Sequence, residues 1–457
     1  MRRCIRWFDC AGMSGLARPA VATNTRPSRK CRTRLACRGF LPALAFVMLV
    51  GSPQVAGAQS LDPVVQWNQI TLAALRVPGA NPATVFATRP LAITSAAVFD
   101  AANSFDRLYQ PYTTWFEVAP GASRTAAVAR AAHDALVALM PSQTEVFDAA
   151  LAASLADIPS QAAADGAVVG AAAAKATLER RTGDGWERPF PPLVLPNLPG
   201  YWKPTPPANV AAAFTNYPGV TGFIVENGRH FLPEGPPALT TERYATDFNQ
   251  VKSWGAVNST IRSAEQTQIS NLWAGVGTTT GVTAVWNELL ATVSQDRRWS
   301  VVDTARAYAL LNMTMHDALM TSFTGKFVYA LWRPVSAIRE ADTDGNSATV
   351  ADPNWLPLLA TPPYPSAPGN MACIGASVSR TMERLSGQDT LPFSVTWAGA
   401  GTNPSVTRSY TGFRQLADEE AYSRIWGGIH FLSETLSSLG SCTLLGDYAV
   451  DNVLRKR

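Results

Sequence analysis

Lys326 and Arg333 stand seven residues apart in KFVYALWRP, with Pro334 directly after the arginine. Seven residues of continuous helix make nearly two turns, so the spacing predicts that both cations project from one helix face. A second segment, PPYPSAPGNMACIGA (362–376), reads as a rigid loop that passes through Gly369 into a helix. Glycine there lets backbone amides approach a ligand closely, and a helix N-terminus favours an anion. The third segment, AYSRIWGGIHF (421–431), carries Arg424 and His430 on either side of Gly427 and Gly428. A spacing of six does not place two side chains on one face of a straight helix, so the glycine pair is expected to break it and let both turn inward. Taken singly, each segment also has an ordinary reading: a solvated helix end, a proline-rich turn, a core histidine.

In chain order, K-x6-R-P, a PPYP-containing glycine loop and S-R-x5-H resemble the three-part signature of the vanadium-dependent haloperoxidase and type 2 phosphatidic acid phosphatase superfamily. The stretches VVQWNQITLAALR, GYWKPTPP, PPALTTERYATDF and WRPVSAIR resemble its soluble bacterial haloperoxidase branch. The resemblance implies a pocket for phosphate or vanadate, with Lys326, Arg333 and Arg424 on the oxyanion oxygens and His430 as axial vanadium ligand or as nucleophile toward phosphorus. The residue types suit that task. Arginine offers a planar two-pronged donor, lysine a mobile point charge, and a neutral imidazole the lone pair that coordination or attack requires. The resemblance implies small-molecule substrates, either peroxide with halide or a phosphate ester.

The middle motif departs from the family's Pro-Ser-Gly-His: here Pro368 is followed by Gly369, Asn370 and Met371. The amides of Gly369 and Asn370 and the Asn370 side chain are still expected to cradle an oxyanion. Met371 stands at the family's acid/base histidine, and a thioether transfers no proton near neutrality. The sequence therefore leaves two readings: a haloperoxidase or phosphatase of reduced turnover, and an oxyanion-binding protein without catalysis. Of the other histidines, His133 and His316 each open a His-Asp-Ala-Leu run in an apolar helix and read as hydrogen-bonded core residues, while His230 is the candidate for a displaced acid. No Walker loop, CxxC pair, HExxH or G-x-S-x-G is present.

The elements that must position these residues are helical. From Asp62 to about Arg180 the chain is alanine-rich with apolar residues every three or four positions, as in SRTAAVARAAHDALVALM. Ser142 to Glu145 reads as a capping box opening the next helix. Twelve prolines between Pro189 and Pro237 exclude a continuous helix, and aromatic residues such as Phe190, Tyr201, Trp202, Phe214 and Phe231 argue for an ordered connection. Helical periodicity returns from about Ser259, with Ala307, Leu310, Leu311, Met315, Ala318 and Leu319 on one face, and a final helical region begins near Leu416. FDAANSF (99–105) faintly echoes HDALMTSF (316–323). The expected fold is all-α: a bundle over 59–188, a connection over 189–258 and a bundle over 259–457 that carries the site, with 59–457 as one structural domain.

Residues 1–58 read as a secretory leader: a basic segment, the short apolar stretch FLPALAFVMLVGS and Ala56-Gly57-Ala58. The protein is therefore expected to be exported. The leader holds 10 of the 38 basic residues and one of the 34 acidic ones, so the remainder is 28 − 33 = −5 and the basic balance gives no support for nucleic-acid binding. No later run is long and apolar enough to span a membrane. Of the six cysteines only Cys373 and Cys442 lie beyond the leader, where export would permit them to pair.

Overall fold

The computed structural model describes residues 61–79 and 87–457, so the expected leader lies outside the described residues. The first helices are α1 (Pro63–Leu75), α2 (Thr88–Asp106), α3 (Arg124–Leu139), α4 (Thr144–Leu155) and α5 (Ser160–Arg180). Asp62 caps α1 by accepting the Val64 amide at 2.8 Å, with Pro63 at the first helical position, and Ser123 caps α3 through the Ala126 amide. The alanine and glycine content serves close packing of α3 on α5. A Cβ on Gly166 would stand 2.2 Å from the Ser123 carbonyl oxygen, and one on Gly170 2.3 Å from that of Ala127. The expected capping box does not form. Pro141–Gln143 is a single 3-10 turn, α4 has no side-chain cap, and the Thr144 hydroxyl donates back to the Pro141 carbonyl.

The proline-rich stretch has no α-helix up to α6 (Glu242–Trp254), and its aromatic residues dock on the bundles. Phe214 packs edge-on against Phe323 with ring centroids 5.2 Å apart, and Tyr217 lies 4.7 Å from the same ring. The connection is thus shorter than expected, because α6 falls inside it. Thr241 caps that helix by accepting the Tyr244 amide.

Beyond it come α7 (Ala264–Trp273), α8 (Val282–Asp296), α9 (Val301–Tyr329), α10 (Pro334–Arg339), α11 (Asn370–Ser386), α12 (Phe413–Trp426) and α13 (Leu432–Asn452). Helix α9 packs against α2 of the first group and against α11 and α13 of the second. It is buried on nearly every side from Val302 to Lys326, not along the one face its periodicity suggests. Its polar residues are enclosed because they find partners. Asn68 donates to Asn287 at 2.8 Å, Asn287 to Asn312 at 2.9 Å and Asn312 to Ser95 at 3.0 Å, a chain of amides linking α1, α8, α9 and α2.

The faint echo has a physical counterpart. Asp100 accepts the amides of Tyr112 and Thr113, and Asp317 those of Phe223, Ile224 and Val225, so each aspartate pins a loop to its helix. Burial raises both carboxyls to about 6 against those hydrogen bonds. The all-α expectation holds but for one antiparallel hairpin, β1 (Phe393–Trp397) with β2 (Val406–Tyr410), between α11 and α12. No described helix is long and apolar enough to cross a membrane.

Cys373 on α11 and Cys442 on α13 form a disulfide across 69 residues of sequence, so neither is a free thiol. Beside it Ser377 donates to the Cys442 carbonyl at 2.9 Å. Closing a loop of that length restricts the unfolded chain by on the order of 4 kcal/mol. Replacing both cysteines by serine should lower stability by about that amount in urea unfolding; a loss below about 1 kcal/mol would mean that the cross-link adds little to the packing of the two helices.

Candidate functional site

Lys326 and Arg333 do not share a helix. Helix α9 ends three residues after Lys326, at Tyr329, where Ala330 turns to a φ of +50°. Arg333 is the N-cap residue of α10, with Pro334 at its first position. Pro334 therefore opens a helix rather than ending one. The two cations still meet, because the break folds the chain back across the 362–369 loop.

Lys326 is completely buried, and its ammonium donates to the carbonyls of Pro365 at 3.1 Å, Ser366 at 2.6 Å and Pro368 at 2.6 Å. An ammonium has three protons, so none is left for an oxyanion in this arrangement. Lys326 acts here as the clamp of the loop. Burial, reinforced by the charge of Arg333, pushes it well below the usual lysine range. The carbonyls offset that pressure, since three acceptors favour the charged form.

Arg333 is also fully buried. Its Nε donates to the Tyr364 carbonyl at 2.8 Å; its NH1 donates to the Ile429 carbonyl at 2.8 Å and faces His430 Nε2 at 3.2 Å. The NH2 group is buried without a partner. Arg424, on the last turn of α12, also has a buried NH1 without a partner. Burial and the neighbouring Arg333 lower its pKa to about 10. Gly427 ends α12 and Gly428, at φ +78°, reverses the chain into Ile429 and His430. Neither glycine has room for a side chain: a Cβ on Gly428 would lie 2.4 Å from the Gly255 carbonyl oxygen and one on Gly427 2.4 Å from Leu359.

His430 Nδ1 lies 2.7 Å from Glu434 Oε1, which also accepts the Ser366 hydroxyl at 2.7 Å and the Phe431 amide at 2.8 Å. Burial would raise the Glu434 carboxyl, but His430, Lys326 and Ser366 together hold it below the usual range, so it is ionised and only accepts. Nδ1 therefore carries the imidazole proton. On the other side an arginine only donates, so Nε2 presents its lone pair to Arg333. Burial, with the charges of Arg333 and Lys326, lowers the imidazole pKa to about 3 against the pull of Glu434. The result is a neutral histidine whose lone pair faces Arg333, with one buried donor nitrogen lacking an acceptor on Arg333 and one on Arg424. Such a set can bind a tetrahedral anion while an imidazole nitrogen meets its central atom.

Residues 306–457 match the family described as VCPO second helical-bundle domain. The vanadium chloroperoxidase of Curvularia inaequalis is 29% identical over 231 residues, covering 43% of this chain and 37% of that protein. Over residues 306–457 the chain belongs to that family. In overall fold it is similar to a bacterial vanadium-dependent iodoperoxidase, with a TM-score of 0.71 and 20% identity over 86% of this chain and 96% of that one. An apo-type bacterial vanadium-dependent chloroperoxidase superposes with a TM-score of 0.66 at 16% identity, over 84% and 96% of the two chains. The chain spans little more than a third of the length of the curated relative, the Curvularia enzyme.

The remaining expected residues are placed less simply. Gly369 is the N-cap residue of α11, but its amide donates to the Ser438 hydroxyl at 3.0 Å and is not open to a ligand. Asn370 is buried, with its Oδ1 unpartnered. Met371 is partly buried and packs against the main core. His230 is exposed and stacks on Tyr448 at 5.4 Å. Tyr448 lies sixteen residues beyond Leu432 on α13, about 24 Å along the axis, far from the end where His430 sits. His316 is enclosed with its Nδ1 at 3.2 Å from Thr88, and His133 sits between Asp134 and Asp148, both at 2.7 Å. Glu434 and Ser366 went unread in the sequence. A carboxylate four residues after a histidine is the signal that would have found Glu434.

The imidazole makes stability pH-dependent. Its folded pKa lies below the unfolded value of about 6.5, so below that pH the unfolded chain binds the proton first. His430 should thus cost about 1.4 kcal/mol per pH unit between 6.5 and about 3. Urea unfolding of the native protein and His430→Gln at pH 7, 6 and 5 should show a shallower acid loss in the variant; equal slopes would mean that His430 is not held neutral.

Proposed function

We propose that the Arg333–Arg424–His430 pocket binds vanadate and that the loaded protein oxidises halide with hydrogen peroxide, at a rate limited by the absence of an acid/base histidine. The observation that carries this reading is the pair of buried, unpartnered guanidinium nitrogens, Arg333 Nη2 and Arg424 Nη1, with the Arg333 guanidinium facing the His430 lone pair. Unpaired buried donors are costly, and an anion is the partner that removes the cost. Bound vanadate would supply a Lewis-acidic centre on which peroxide is polarised toward halide. The protein's part is to hold it. Arg333 and Arg424 donate to its oxygens, His430 Nε2 meets the metal, and Glu434 keeps the imidazole in the tautomer that allows this. Phosphate fits the same donor set, so phosphate-ester hydrolysis through His430 is the same pocket used on a different substrate. The disulfide supports an exported location, since such bonds persist in oxidising compartments.

Proton transfer is the deficient function. Met371 offers none, and His230 is too far to replace it. Space exists to restore the family pattern: a Cβ on Gly369 would meet only Ala372 at 3.6 Å and Ser438 at 3.9 Å. With vanadate, peroxide and bromide, Met371→His or the combined Gly369→Ser, Asn370→Gly, Met371→His variant should raise turnover about 10²-fold or more, while vanadate affinity changes little. His230→Ala should leave native turnover unchanged. Native turnover that is high and lost on replacing His230 would overturn the assignment of the gap, and absence of vanadate and phosphate binding in a calorimeter would overturn the pocket.

A further inference from the structure

Tyr364 stands where the three cations meet. Its carbonyl fixes Arg333 through the 2.8 Å bond from Nε, and its ring lies against the charged groups: Lys326 Nζ is 5.3 Å and Arg333 Cζ 5.0 Å from the ring centre. Phe323 packs edge-on at 5.0 Å and Phe214 tilts against it at 6.0 Å. The residue is only partly buried, unlike Pro365, Ser366, Ala367 and Pro368 that follow it. Arg333 and Arg424 both act on the phenol, each pulling its pKa down. All of its charged neighbours are donors without acceptor capacity: a guanidinium can donate to the phenol oxygen, yet none of the three can take the phenolic proton.

Resting on the oxyanion reading above, we propose that the Tyr364 hydroxyl is the neutral donor of this site, giving its hydrogen bond to an oxygen of bound vanadate or phosphate. The geometry favours it because the Arg333 guanidinium, with its free Nη2 donor, lies 5.0 Å from the Tyr364 ring centre and Arg424, with its free Nη1, acts on the same phenol, so an anion that takes up these donors lies beside Tyr364. An O–H donor differs from the arginines in adding no charge to a pocket already rich in it. Burial raises the phenol's pKa more than Arg333 and Arg424 lower it, so the proton stays on the oxygen at neutral pH. Lys326, whose protons are committed to the loop, cannot serve in this place.

The test is Tyr364→Phe in the mature protein, titrated by calorimetry with orthovanadate and separately with inorganic phosphate. Phenylalanine keeps the ring against Lys326, Arg333 and Phe323 and removes only the hydroxyl. The dissociation constant should rise about 10- to 100-fold, as loss of a hydrogen bond to a charged group predicts, with ligand-free thermal unfolding unchanged. An affinity within about twofold of native, or a fall in ligand-free stability with affinity kept, overturns the proposal and leaves the pocket standing. Arg424→Ala separates the cases. If it abolishes binding while Tyr364→Phe does not, only the tyrosine assignment fails. If the native protein binds neither anion, the pocket and the tyrosine fail together.

Discussion

One ammonium group sets the shape of the site. Lys326 comes out of a helix buried on nearly every side and takes the carbonyls of Pro365, Ser366 and Pro368. That grip fixes the loop on which Tyr364 presents its carbonyl to Arg333 and Ser366 its hydroxyl to Glu434. Glu434 in turn fixes His430. Remove the lysine charge and each of these partners loses its reference point. A loop with four prolines between 362 and 368 brings few amide donors of its own, so an external donor is what its inward-facing carbonyls need.

The electrostatics follow from the same enclosure. Lys326, Arg333 and Arg424 are all held below their usual ranges, chiefly by burial, and the ionised carboxylate among them is Glu434. Glu420, one turn before Arg424, is pushed well above the usual carboxylate range by burial, against the pull of Trp286 and Arg424. The pocket therefore carries more positive than negative charge in a setting that solvates charge poorly. An anion would lower the energy of that arrangement, and binding to the folded state alone would add stability.

Much of this was legible in the sequence, and the misses have physical causes. Motif order pointed to Arg333, Arg424 and His430; the structure sets Arg333 against His430 at 3.2 Å, and Gly427-Gly428 ends the helix between Arg424 and His430. The spacing of Lys326 and Arg333 was misleading because helical arithmetic holds only while the helix continues, and Ala330 leaves it. The acceptors of Lys326 and of the Gly369 amide are backbone and side-chain groups 39 to 69 residues away, which no local pattern encodes. Periodicity gave α9 one apolar face because burial of Asn312, His316 and Asp317 depends on partners from other helices. The hairpin at 393–410 was missed because its strands are only five residues each.

The central place of α9 bears on how the polypeptide can be divided. The second-bundle match begins at residue 306, inside α9, five residues after that helix starts at Val301. A fragment cut there would keep α11 and α13 against one side of α9 but lose α2 from the other. Leu310, Leu311, Ala318 and Leu319, fully enclosed in the intact chain, lie on the helix so divided. The unit that recurs among relatives and the unit that buries its own apolar surface are thus different pieces of chain. The first bundle is the other wall of the helix that carries Lys326, and the half from residue 306 could stand as a module only together with something to cover that wall.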